Sequence, residues 1–147
     1  MPSSKVNRPA GVTALSCFFA VGAAIAATAA FSLLRPGGVL EPMWRLNPRG
    51  REAFRGLGPR AAVLLGIVSI ACVIAAAGLW RGRPWGRRVA AALMAVNLIG
   101  DAANATVGGD QRAAIGIPIS IAILWFLQTR RVRAFFARPD GPPEVGD

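Results

Sequence analysis

Residues 61–88 read AAVLLGIVSIACVIAAAGLWRGRPWGRR, and this stretch decides the fold. Ala61 to Trp80 carries no charged side chain. A run of about 18 or more such residues is long enough to cross a hydrocarbon layer of ~30 Å as a helix. The run stops on Arg81-Gly82-Arg83-Pro84-Trp85-Gly86-Arg87-Arg88, a compact basic turn bracketed by Trp80 and Trp85. Tryptophan settles at headgroup level, where its ring is half in the apolar layer and its N–H finds a polar partner. The stretch therefore predicts a transmembrane helix that ends at one membrane face, with Trp80, Trp85, Arg81, Arg83, Arg87 and Arg88 as interface anchors.

Working outward, the same pattern recurs. Val12 to Leu34, VTALSCFFAVGAAIAATAAFSLL, is free of charge and lies between Lys5, Arg8 and Pro9 on one side and Arg35-Pro36-Gly37-Gly38 on the other. Small residues near Ala27-Thr28-Ala29 also give it the look of a signal peptide. Its apolar run exceeds the ~7–15 residues of a signal core, which favours a retained span. Downstream, Val89 to Gly100 is uncharged and Asp101 follows, so this helix either stops near Asp101 or continues to about Val107. A last run, Ala113 to Leu127, contains Pro118, whose ring removes one helical hydrogen bond and predicts a kink. The expected fold is all-α: an antiparallel up-down four-helix membrane bundle with spans 12–34, 61–80, 89–107 and 113–129. The membrane domain covers 12–138, after a cytoplasmic N-terminus over 1–11 and before a disordered tail over 139–147. A basic loop joins helices 1 and 2 over 35–60, with four prolines and six arginines. Within it, Pro48–Leu57 reads either as a short helix on the membrane surface or as a solvated loop.

Composition agrees with a membrane protein. Of the 147 residues 54% are hydrophobic and 16% charged, the mean hydropathy is +0.47, and the net charge is +10. Sixteen of the seventeen basic residues are arginines between apolar runs. They predict contact with anionic lipid headgroups and do not form the basic face of a nucleic-acid-binding module. Both termini on the inside leaves ten basic residues there and seven outside. The short loops discriminate better, with four arginines in 81–88 against one in 108–112.

The chain has no His, and its two cysteines, Cys17 and Cys72, sit in separate apolar runs. No metal-ligand spacing, phosphate loop or nucleophile–base pair can be assembled, so no cofactor is expected and the chain reads as a non-enzyme. A lipid-modifying activity built on Asp101 and arginines is the residual enzymatic alternative. Asn104-Ala105-Thr106 matches the short glycosylation pattern, which carries little weight.

One constellation stands out in the spans. Asn97, Asp101 and Asn104 fall on one face of the third helix. An ionisable residue in a span is a functional candidate by default, because burying it unpaired costs several kcal/mol, roughly. The stripe suits a proton or cation site, a contact with another subunit, or a structural ion pair with Arg35, Arg60 or Arg112, which the topology places at the same membrane face. Strips of small residues, Gly22-Ala26-Ala30, Ala71-Ala75 and Gly116-Ser120, predict close helix packing or a helix-mediated oligomer. Ser120 and Gln128 read as helix–helix hydrogen-bonding residues.

Gly78-Leu79-Trp80-Arg81-Gly82-Arg83-Pro84-Trp85-Gly86-Arg87-Arg88, Asn97-Leu98-Ile99-Gly100-Asp101 and Val132-Arg133-Ala134-Phe135-Phe136, with Trp44-Arg45-Leu46-Asn47-Pro48, resemble a group of small uncharacterised bacterial membrane proteins. The resemblance covers the chain from about residue 36 onward. It implies a four-helix protein of the bacterial cytoplasmic membrane and carries no activity or site residue. The expected function is structural, accessory or partner-binding, with lipids and a homo-oligomer or membrane-protein partner as contacts. The alternative is a small transporter or channel using the Asn97–Asp101–Asn104 stripe.

Overall fold

A computed structural model describes residues 9–38, 40–46, 48–106 and 113–137. Among them the chain is helical, without strands: α1 (Ala10–Leu34), a 3₁₀ turn (Glu41–Arg45), α2 (Pro48–Leu57), α3 (Pro59–Trp80), α4 (Pro84–Thr106), α5 (Ala113–Gln128) and α6 (Arg130–Phe136). Three helices, α1, α3 and α4, are long and apolar enough to cross a membrane. The bent pair Ile115–Gln128 and Arg130–Phe136 makes a fourth candidate if it counts as one span.

Backbone chemistry at the basic turn sets the geometry of α3 and α4. Gly82 takes φ +68°, a conformation that costs a side-chain-bearing residue energy. Its N–H donates to Leu79 O at 3.1 Å, and the Arg83 N–H donates to Gly78 O at 2.9 Å. These two bonds satisfy the last carbonyls of α3 in a Schellman stop. Pro84 then begins α4, where its missing N–H would have had no helical partner anyway. The turn is thus only 81–83. The expected third span began at Val89, but α4 starts five residues earlier and takes Trp85, Gly86, Arg87 and Arg88 into its first turns. So short a connection forces the two helices together. A Cβ on either Gly78 or Gly86 would lie 2.5 Å from the other's Cα.

The buried core lies at this end. Val12, Leu15 and Phe19 of α1 cluster with Ala75 and Leu79 of α3, Ala90 and Met94 of α4, Leu127 of α5, and Val132 and Phe136 of α6. Gly11 closes the packing from α1 to α5, since a Cβ there would meet the Phe126 ring. Along α1, the buried residues Val12, Leu15, Phe19, Ala23, Ala26 and Ala30 recur every three or four positions, a seam facing α3. Ala26 and Ala30 of the expected small-residue strip are in it. Ser69 of α3 donates to the Ala23 carbonyl at 2.9 Å, tying the seam at mid-helix. The outward faces are apolar and exposed, with Val21 and Ile25 on α1 and Val63, Ile67 and Ile70 on α3. Such faces suit a hydrocarbon surround and not water.

At the other end of α1 and α3, residues 35–60 fold back on the helices. Trp44 is buried, and its Nε1 donates to Ser32 Oγ at 2.8 Å. Its ring meets Phe54 of α2 edge-on at 6.1 Å. Glu41 pairs with Arg51. Pro48–Leu57 is therefore a helix, with Phe54 turned toward Trp44.

The bend of the last helix also differs from expectation. α5 runs without interruption through Pro118, and the 60° bend falls at Thr129, between α5 and α6. Thr129 Oγ1 and its backbone N–H both return to Phe126 O, ending α5 on side-chain and main-chain bonds. α6 then folds over the end of the bundle to bury Val132 and Phe136, leaving Arg130, Arg131 and Arg133 exposed. The arginine-rich segment after the last span is in this way a packed helix.

Candidate functional site

The polar groups of the third span meet α5. Asn97 donates through Nδ2 to Asp101 Oδ2 at 2.9 Å and to Ser120 Oγ of α5 at 3.2 Å. The i, i+4 spacing on α4 stacks Asn97 and Asp101 one turn apart. Gly116, one turn before Ser120, makes room for the carboxylate. A Cβ there would lie 2.8 Å from Asp101 Cγ and closer still to Oδ2. The Gly116-Ser120 strip is consequently a polar seat as well as a packing face. Ser120 is buried, Asp101 half-buried and Asn97 exposed.

The remaining predicted residues that the structure describes do not join this cluster. Asn104 shares the face of Asn97 and Asp101 but is exposed. Arg35 lies with its guanidinium 5.2 Å from the centre of the Phe31 ring, a cation–π contact, and Arg60 is exposed. Neither pairs with Asp101. Arg112, with the 108–112 loop, lies outside the described residues, as do 1–8 and the tail 138–147. Of the interface anchors, Trp80 and Trp85 are half-exposed at the α3–α4 turn with Arg81, Arg83 and Arg88, and Gln128 is exposed. Arg87 is half-buried and donates through Nη1 to Leu127 O at 3.4 Å. Both cysteines are free thiols.

No protein-family model matches the chain, and no curated protein or solved structure matches it either. Chemistry must therefore be argued from the site itself. One carboxylate, one primary amide and one hydroxyl form a hydrogen-bonded cluster that supplies acceptors without a general base of the imidazole kind. Its surroundings are unusual for this chain. Only 11% of the most apolar window of α4 is buried, against 33% in α1 and 28% in α3. Beyond Met94 no described residue of α4 is buried. Asn97, Gly100 and Asn104 form an exposed line at three- and four-residue spacing, and a Cβ on Gly100 would meet nothing within 4 Å. Asp101 lies about 7.5 Å along the axis from Thr106, the last described residue of α4. Sequence reasoning found Asn97 and Asp101 from helical spacing. Ser120 was expected to make a helix–helix hydrogen bond, and does so, but Gly116 entered only as a packing residue and neither was assigned to the cluster, because nothing in a linear sequence aligns the depth of α5 with that of α4.

Proposed function

We propose that this protein is a non-enzymatic, partner-binding or accessory component of a bacterial cytoplasmic membrane. Its fold in that reading is an antiparallel four-span bundle, α1, α3, α4 and α5, with both termini on the cytoplasmic side. The arginine-rich α3–α4 turn and α6 then share the cytoplasmic face, which agrees with the positive-inside rule. α5 supplies the fourth span, with α6 folded onto that face. One observation carries the partner-binding reading: beyond Met94, α4 exposes Gly100 and Asn104 on a face where no described residue is fully buried. Lipid hydrocarbon offers an amide such as that of Asn104 no hydrogen-bond partner, whereas a second helix laid on Gly100 would bring backbone close and offer one.

A photo-crosslinking residue placed at Gly100 in the full-length protein, in native membranes, tests this. A discrete protein adduct is expected, and it should weaken in an Asn104→Leu variant of unchanged helicity. A lipid-only adduct would refute the contact. The Asp101–Asn97–Ser120 cluster favours a second reading, a cation or proton path through α4 and α5. Asp101→Asn should then abolish an ion flux in reconstituted vesicles. Flux equal to that of empty vesicles under every gradient would end that reading.

A further inference from the structure

We propose that the open cavity between α4 and α6 is a binding site for the phosphate of an anionic phospholipid headgroup. The cavity measures about 570 Å³. Pro84, Arg87 and Arg88 line it from α4, and Arg133, Ala134 and Phe136 from α6. Three arginines thus line one space. Each stays charged under any physiological condition, and each presents a planar fork of donors that matches phosphate oxygens. Like charges brought together repel, so the arrangement favours an anion among them. None of the residues that line the cavity is acidic. The positive end of the 23-residue α4 adds to the same field.

The position of the cavity selects a lipid over a soluble phosphate. Its lining residue Pro84 follows the α3–α4 turn and adjoins Trp85, a headgroup-level residue in this reading, and its apolar lining of Pro84, Ala134 and Phe136 fits a glycerol backbone. Basic pockets at the cytoplasmic ends of membrane helices are where anionic headgroups dock. The 60° bend builds the pocket. It returns α6 across the end of the bundle and brings Arg133 opposite Arg87 and Arg88, while Arg87 ties α4 to the Leu127 carbonyl. The inference rests on the membrane-spanning reading and is independent of the α4 contact at Gly100.

Arg88 and Arg133 are exposed, so removing their charge tests the site with little effect on packing. Native mass spectrometry of the full-length protein in neutral detergent would measure retained lipid against phosphatidylglycerol, phosphatidylcholine and inorganic phosphate. Phosphatidylglycerol is expected to be held in preference to phosphatidylcholine. Its affinity should fall about fivefold for each of Arg88→Gln and Arg133→Gln, and roughly 25-fold for both. Arg45→Gln/Arg55→Gln, which removes equal charge outside the pocket, should leave it unchanged. An equal loss in that control would mean diffuse attraction and would overturn the site, as would unchanged affinity in the pocket variants. Displacement of the lipid by equimolar inorganic phosphate would make free phosphate the ligand and overturn the lipid assignment. Should the double variant lose helicity, the single Arg88→Gln variant decides by the same criteria.

Discussion

Replacing Gly86 by alanine should separate α3 from α4 where the structure is least able to give. The new Cβ would stand 2.5 Å from Gly78 Cα and 2.7 Å from Leu79 N, with the Gly78 carbonyl carbon nearer still. All three are backbone atoms, so no rotamer change relieves the overlap. Ordinary carbon contacts begin near 3.5 Å, so the helices must part by roughly 1 Å. The three-residue turn pins their ends, and the core around Ala75, Leu79, Ala90 and Met94 sits immediately behind. Overpacking costs about 1–3 kcal/mol when side chains can adjust, and this site belongs at the upper end, about 3 kcal/mol. Gly66 and Gly100 serve as controls, because a Cβ on either meets nothing within 4 Å. Alanine at those positions should be neutral or should stabilise the helix by up to about 1 kcal/mol. SDS titration of the protein in mixed micelles, followed by circular dichroism, gives the comparison directly. If Gly86→Ala unfolds at the same SDS fraction as Gly100→Ala, the close approach of α3 and α4 is wrong.

Two further perturbations probe the ends of the bundle. Trp44→Phe removes the bond to Ser32 Oγ and should lower stability by about 1–2 kcal/mol; Ser32→Ala added to it should cost little more, since the two share one interaction. That near-zero increment, read from the same SDS titration, separates a bonded pair from two independent packing residues. Gly82→Ala should cost about 1–2 kcal/mol from its positive φ alone, because the nearest foreign atoms lie 3.4 Å from the new Cβ, on the Phe135 ring. A Gly82→Asn variant should recover part of the loss, as asparagine tolerates that conformation better, and no recovery would point to a steric cause instead.

Local composition was enough to locate most helices. Charge-free runs at Val12–Leu34 and Ala61–Trp80 became α1 and α3 with ends shifted by two residues or fewer, since the length of an apolar run is a one-dimensional quantity and its flanking prolines and arginines are visible in it. Pro48–Leu57 was legible only as a choice between a short helix and a loop, and the structure makes it α2. Asn97 and Asp101 were legible as neighbours, because i, i+4 contacts are set by the helix itself. What depended on distant parts of the chain was not. The Gly82 stop and the early start of α4 follow from a tight turn whose Gly78–Gly86 contact exists only once two helices pack. Ser120 and Gly116 join Asp101 because α5 docks at one particular height against α4. The bend at Thr129, and with it the arginine pocket, arises because Val132 and Phe136 join a core to which α1, α3, α4 and α5 all contribute. Sequence alone determined that this chain belongs in a membrane and where its helices run. Tertiary packing decided which polar and basic side chains meet, because relative helix depth and rotation are settled by contacts between segments and are not written in any one of them.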